Sequence, residues 1–434
     1  MAPSDKPASY LIVGAGVFGT SAALHLKTAH PSASVTLVDR DAYDAATRVA
    51  ASWDWNKVVR ADYRDLLYCR LALEAQDVWR ADPLWAPFYH ESGIYWISRS
   101  DFAETVRENF AKLGRVEEGK LIEVVRVEEA RKMYRGLFEE SDYTGIENVL
   151  VNKGSGWADA KGALRRVIER AVELGVTYVT AEVEALQFEG GACVGVKASD
   201  GGVYKADHTI LSTGSFTPKL LDTTAEKTGN DKFRAGERII SAGVTTGLAT
   251  LDEETAKRFE IMPVNIQEND PERGASNGTL PLNSDKQLKW WGQHIFKNTQ
   301  KMSSGNRISA PPPHADYAEW EVPGTLKEDV EFAKDVTFGK FGKDWNIHTH
   351  RICWEALTPS EDFIISPHSA SQGLYIATCG SFHGWKFFPI IGDYIMKMVE
   401  GKLEDDLVKR WAWDRELPDG TKLRVWPKDE LKDL

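Results

Sequence analysis

The 434 residues are about two or three domains' worth of chain, and 42% hydrophobic with 27% charged residues is the balance of an ordinary globular protein. A net charge of −12 argues against a nucleic-acid or anionic-membrane surface. Four scattered cysteines, Cys69, Cys193, Cys353 and Cys379, exclude a disulfide framework and a CxxC metal site, and no apolar run is long enough to span a bilayer. MAPSDKPASY lacks the pattern of a signal peptide, and the final KDL matches neither an ER-retention nor a peroxisomal address. The expectation is a cytoplasmic protein in a reducing compartment.

In chain order, residues 10–13 (YLIV) read as a strand, 14–19 (GAGVFG) as a glycine turn and 20–26 (TSAALHL) as a helix. A second apolar strand at 35–38 ends at Asp39, about twenty residues past the last glycine. This is the dinucleotide fingerprint in its full setting. Gly14 permits the tight turn, Gly16 lets backbone approach a pyrophosphate, and Gly19 lets helix and sheet pack closely. The helix N-terminus offers N–H groups to phosphate, and Asp39 can accept from ribose hydroxyls. An incidental glycine turn is the competing reading.

The stretch 55–63 (WNKVVRADY) reads on its own as a solvated basic turn. Residues 176–179 and 182–186 are followed by a meander at 195–197 and 203–207, then by a strand with a small-residue turn at 209–215 (TILSTGS). Strand, meander and returning strand resemble the way FAD-dependent oxidases of the glutathione-reductase type close the nucleotide domain, with an ordinary α/β insert as the competing reading; together with the fingerprint they favour FAD over NAD. An NAD-linked dehydrogenase, which needs no Cys353, and a non-catalytic flavoprotein or binding module are the competing classes. Residues 265–280 are polar, contain glycine and read as a loop, as does the proline cluster at 310–314. In 287–292 (QLKWWG), Lys289 taken alone reads as a surface lysine. In 348–366 (HTHRICWEALTPSEDFIIS), Cys353 competes between a buried structural thiol and a metal site with His348 and His350 that lacks a fourth ligand. Residues 380–387 (GSFHGWKF) form a glycine-containing loop ahead of a C-terminal helix.

With these residues on the page, the chain resembles the monomeric sarcosine oxidase family, which includes pipecolate and saccharopine oxidases and the fungal amadoriases. The resemblance covers about 8–100, 150–220 and 345–400 and is looser over 220–345. It implies FAD, held by Gly14, Gly16, Val17, Phe18, Gly19, Asp39, Arg40, Asn56, Lys57, Val183, Thr213 and Gly214, and by Gly380, Phe382, His383, Gly384 and Lys386 in the late loop. Cys353, Thr358, Pro359, Glu361 and the run 363–365 match the family's flavinylation segment, which makes Cys353 the covalent flavin anchor. Arg60 and Lys386 match the two cations for a substrate carboxylate, Tyr63 a nearby tyrosine, Lys57 a basic residue near the flavin ring, and Lys289 an oxygen-activating lysine. Arginine suits the first task because its planar fork pairs bidentately with a carboxylate. The C-terminal helix is implied to face the flavin's pyrimidine end.

The implied fold is α/β: a glutathione-reductase-type FAD-binding Rossmann domain interleaved with an α+β substrate domain that carries an antiparallel sheet. The expected boundaries are 1–85, 150–220 and 345–400 for FAD, 86–149 and 221–344 for substrate, and 401–434 as a tail across the FAD domain. The implied reaction oxidises the C–N bond of an N-substituted amino acid by hydride transfer to flavin N5. It gives an imine and hydrogen peroxide from O2. An amadoriase, and an oxidase of an N-methylated aromatic amino acid in secondary metabolism with imine-driven ring closure, are the alternatives. Trp53, Trp55, Trp290, Trp291, Phe382 and Trp385 are candidates to line the substrate pocket. A monomer with no metal, no nucleic acid and no membrane partner is expected.

Overall fold

The computed structural model describes residues 7–45, 48–98, 102–268, 276–313, 319–416 and 426–434. A six-stranded sheet runs in the order Ile364–Pro367, Leu374–Thr378, His208–Leu211, Ser9–Val13, Ser34–Asp39, Thr177–Thr180. Its pairings are parallel except at the edge strand Ile364–Pro367. Leu11, Ile12 and Val13 are all buried, so this central strand is a continuous apolar run rather than an alternating one. Helix Val17–Ala29 leaves that strand through the glycine turn and packs against helices Ala160–Glu173 and Ile391–Val399. Asp159 caps Ala160–Glu173 by accepting from the Gly162 amide at 2.9 Å. The expected meander is present as Val183–Glu189, Ala192–Ala198 and Val203–Lys205.

A nine-stranded, mainly antiparallel sheet follows the path Thr349–Leu357, Ile240–Thr250, Gln287–Lys297, Asn277–Leu280, Val264–Gln267, Ile94–Ile97, Asn148–Asn152, Ile122–Arg126. Asp429–Glu430 adds to Gln287–Lys297 off this path. Strand Ile240–Thr250 sits between two functional strands: Val244 pairs with Cys353, and Leu248 with Lys289. Two-residue alternation then decides what faces what. On Gln287–Lys297, Leu288 and Trp290 go to a core with Phe338, while Lys289 and Trp291 face the other way. A small sheet of Asn56–Val59, Gly156–Asp159 and Tyr89–His90 completes the set.

The parallel sheet interleaved with an antiparallel one is the fold expected from the sequence. Some local expectations are corrected. Residues 264–267 and 277–280 are buried strands rather than loop, and 269–275 lie outside the described residues. The strand carrying Cys353, grouped with the FAD segments, is hydrogen-bonded into the antiparallel sheet. The tail divides: Trp411 and Trp413 pack on the parallel-sheet side, whereas Asp429–Glu430 pairs with Phe296 and Lys297. Of the proline cluster at 310–314, His314 lies outside the described residues. No helix among the described residues is long and apolar enough to cross a membrane.

Candidate active site

The glycine turn and Asp39 border a cleft of about 200 Å³, also lined by Arg40, Val183, Ser212, Thr213 and Gly214. Gly14 has φ of +99°, and a β-carbon there would lie 2.4 Å from the Ser212 carbonyl oxygen. A β-carbon on Gly19 would lie 1.9 Å from the Gly14 carbonyl oxygen, so neither position accepts a side chain. Asp39 Oδ2 accepts from the Ala15 amide at 2.6 Å, which ties the second strand to the turn. Arg40 donates to the Val49 carbonyl at 2.7 Å, with its guanidinium 4.3 Å from the Phe216 ring centroid.

A second cavity of about 250 Å³ adjoins the first, since Glu355 and Trp385 line both. Its floor is a buried charge cluster. Asp54 Oδ2 lies 2.6 Å from Lys289 Nζ and 2.8 Å from Lys57 Nζ. Burial would raise the Asp54 carboxyl, but Lys289, Lys57 and Arg351 together hold it well below the usual carboxylate range. Burial lowers Lys289 to about 8, against the pull of Asp54, whereas Lys57 is held above its ordinary value by Asp54 despite its own burial. Lys289 also donates to the Asn56 carbonyl at 3.0 Å. Cys353 Sγ is on the cavity wall, 4.0 Å from Lys57 Nζ, and burial pushes its thiol up. On the same strand Arg351 pairs with Glu319 at 3.1 Å and donates to the carbonyls of Trp53 and Ala50 at 2.5 and 3.0 Å.

The other end of the cavity holds Arg60, Phe382, His383 and Lys386. The Arg60 guanidinium stands 4.7 Å from the Tyr63 ring centroid and 4.6 Å from that of Trp96, and it donates to the Asp62 carbonyl. Lys386 Nζ donates to Tyr63 Oη at 2.9 Å and to the His383 carbonyl at 2.7 Å. Neither cation forms an ion pair with a carboxylate among the described residues. Burial, then the Arg60 charge, put Lys386 well below its ordinary value. The loop between is strained: Cys379, Ser381 and Phe382 have φ of 68°, 47° and 61°. Each such residue costs about 1–3 kcal/mol, and such strain clusters at functional sites. Hydrogen bonds hold it, from the Ser381 amide to Ala356 at 3.1 Å and from the Gly384 amide to Gly380 at 2.7 Å.

Residues 9–398 match the family described as DAO, FAD dependent oxidoreductase. The chain belongs to that family. It is 27% identical over 419 residues to the L-saccharopine oxidase of Schizosaccharomyces pombe, spanning 93% of this chain and 92% of that one. It is 25% identical over 461 residues to the amino acid oxidase imqH of Aspergillus flavus, spanning 91% and 93%. The solved fructosyl peptide oxidase from E. terrenum matches with a TM-score of 0.83 at 22% identity over 100% of this chain and 98% of that one, a likeness of fold.

The first cleft fits the cofactor of an FAD dependent oxidoreductase. Its glycines leave a cradle that β-carbons would fill, and Ser212 on its wall has a buried hydroxyl without a hydrogen-bond partner among the described residues. Val17, Phe18, Gly380 and Gly384 line it as well, and Gly19 acts behind it through packing. The second cavity brings together Lys57, Arg60, Lys289, Cys353, Phe382, His383, Trp385 and Lys386, all singled out from the sequence. Asn56 lines neither cavity; it is fully buried, and its side chain donates to the Pro281 carbonyl at 3.2 Å. Tyr63 does not line the cavity; it meets the site through its hydroxyl, bonded to Lys386 and His383, and through its ring against the Arg60 guanidinium.

The aromatic lining differs from expectation. Trp291, Phe382 and Trp385 line the cavity, but Trp290 is in the opposite core, Trp53 is buried in the main core, and Trp55 packs on Trp320. Trp96, not foreseen, takes their place. Asp54, Glu355 and the Arg351–Glu319 pair were also missed. Alternation along 349–357 would have placed Arg351, Cys353 and Glu355 on one face; nothing in the sequence marks Asp54.

Proposed function

We propose that the protein oxidises the C–N bond of an N-substituted α-amino acid to an imine, with O2 reduced to hydrogen peroxide. The observation that carries this reading is a pair of basic side chains, Arg60 and Lys386, facing one cavity, neither of them ion-paired with a carboxylate among the described residues. A bidentate fork and an amine set for one carboxylate fix the substrate's α-carbon relative to the wall bearing Cys353 and Lys57. FAD supplies the two-electron acceptor when bound. The parallel-sheet segments are assigned to FAD and the antiparallel sheet to substrate.

Within this reading Cys353, a buried thiol on the cavity wall, carries the flavin covalently. Lys289 supplies a positive charge for oxygen reduction, where a preorganised cation stabilises the anion that develops. Asp54 holds Lys289 and Lys57 in place and offsets part of their burial. Trp96, Trp291, Trp385 and Phe382 exclude water and offer aromatic surface to the substrate side chain. The names of the curated relatives, a saccharopine oxidase and amino acid oxidases, agree with an amino-acid substrate.

The test is a panel of sarcosine, pipecolate, saccharopine, N-methyltyrosine and fructosyl-lysine. Anaerobic flavin bleaching and, in air, peroxide are the two readouts. At least one N-alkyl amino acid should bleach the flavin and yield peroxide. Turnover of fructosyl-lysine alone would move the protein to sugar adducts and overturn the carboxylate clamp.

A further inference from the structure

The hydrogen bonds around Lys386 can be given a direction. His383 Nε2 lies 2.9 Å from the Glu361 carbonyl oxygen, which only accepts, so Nε2 carries the hydrogen. Burial, the largest influence on His383, pushes it down to about 3, so its ring is neutral and Nδ1 is an acceptor. The Tyr63 hydroxyl, 3.1 Å away, therefore donates to Nδ1. Its oxygen is left to accept from Lys386 Nζ at 2.9 Å, while a second Nζ hydrogen goes to the His383 carbonyl at 2.7 Å. A neutral amine has two hydrogens and one lone pair. Both hydrogens are placed, and the remaining position of Nζ belongs to a side chain that lines the cavity.

The surroundings favour that neutral form. From strand Asn56–Val59 and the segment after it, Lys57, Arg60, Asp62 and Tyr63 face Lys386; from Thr349–Leu357, Glu355; from its own loop, His383. Asp62 accepts instead from Asn152 at 2.8 Å and Ser155 at 3.2 Å. Glu355 is itself raised by burial, so it is a weak counter-charge.

We propose that Lys386 meets the substrate as a neutral amine and takes the proton of the substrate's ammonium group, becoming the cation that pairs with the substrate carboxylate. The step rests on the amine-oxidase reading above. An N–H bond of the substrate ammonium breaks and an N–H bond on Nζ forms. The electron pair stays on the substrate nitrogen, and the charge of the site is unchanged. The substrate then holds the free lone pair that C–N oxidation requires. Tyr63 and His383 are positioning residues: they occupy both hydrogens of Nζ and so aim its lone pair.

Proton linkage tests this without turnover. The oxidised holoenzyme is titrated calorimetrically with phenylacetate, a carboxylate with no amine to give, in buffers of different ionisation enthalpy at mildly alkaline pH. A carboxylate raises the lowered Lys386 value, so binding should take up about one proton per site. Phenylacetamide should take up none, and Lys386→Arg should bind phenylacetate without uptake because guanidinium is always charged. Wild-type binding without uptake would mean that Lys386 is already an ammonium and would overturn the proposal. Failure of phenylacetate to bind would overturn both the proposal and the carboxylate clamp. Both results are independent of the amine-oxidase reading, whose own failure is the absence of flavin bleaching by every N-alkyl amino acid. In anaerobic reduction by an active N-alkyl amino acid, Tyr63→Phe should move the acid limb of the pH profile up by about one pH unit or more. A lowered amplitude with an unmoved limb would reduce Tyr63 to a structural part and overturn its positioning role.

Discussion

Replacing Asp54 by Asn keeps the shape of the buried cluster and removes the carboxylate that contacts both lysines. Asp54 Oδ2 is 2.6 Å from Lys289 Nζ and 2.8 Å from Lys57 Nζ. At an effective dielectric constant of about 20, each contact is worth about 6 kcal/mol of attraction. Most of that offsets the burial of three charges, and breaking such a cluster costs about 3–5 kcal/mol if both lysines stay charged. They need not stay charged. Lys289 already titrates at about 8, so giving up its proton near neutral pH costs only about 1 kcal/mol. Asp54→Asn should therefore fold, with a modest loss of thermal stability and a neutral Lys289. Without that cation, reoxidation of reduced flavin by O2 should slow by about 10²–10³-fold, the scale of losing one preorganised donor. Stopped-flow separates the two half-reactions: anaerobic reduction should change far less than reoxidation. Lowering the pH should restore reoxidation in Asp54→Asn but not in Lys289→Met. Wild-type reoxidation in Asp54→Asn would refute the charge argument.

The other predictions use single readouts. Wild-type reoxidation should fall as pH rises through about 8, because the buried Lys289 is a cation below that value and neutral above it. The flavin should stay with the wild-type chain after denaturation in acid or detergent, and Cys353→Ala should release it. Gly14→Ala should purify largely without flavin, since its β-carbon would sit 2.4 Å from the Ser212 carbonyl oxygen at a φ of +99°. An FAD-replete Gly14→Ala variant by absorbance would contradict the cradle.

The sequence revealed what is local. Strand, glycine turn, helix and Asp39 lie within forty residues, and each has its own physical signal. Cys353, Lys57, Arg60 and Lys386 came from a family resemblance, and they meet at one cavity. What was illegible depends on distant contact. Asp54 pairs with Lys57, three residues on, and with Lys289, 235 residues away; a carboxylate three residues from a lysine reads as an ordinary surface pair, and only the distant contact marks it as buried. The stretch 265–280 was misread because its strands bury polar side chains: Asn265, Gln267, Asn277 and Thr279 are fully buried, and Gln267 donates to the Val336 carbonyl at 3.2 Å. Hydropathy does not identify strands that bury polar side chains, because the apolar alternation that marks a strand is missing from them. Trp290 belongs to the opposite core because two-residue alternation along Gln287–Lys297 turns it away from Lys289 and Trp291.

The most direct test of the central claim compares the most active N-alkyl amino acid of the panel with the amine formed by its decarboxylation, with kcat/KM read from peroxide. A charged hydrogen bond is worth about 1.5–3 kcal/mol, so losing the carboxylate's bonds to both Arg60 and Lys386 should cost about 10²–10⁴-fold. Arg60→Lys should narrow that gap, because a point charge cannot replace the fork. Equal kcat/KM for the amino acid and its amine would contradict the claim that these two cations select a carboxylate.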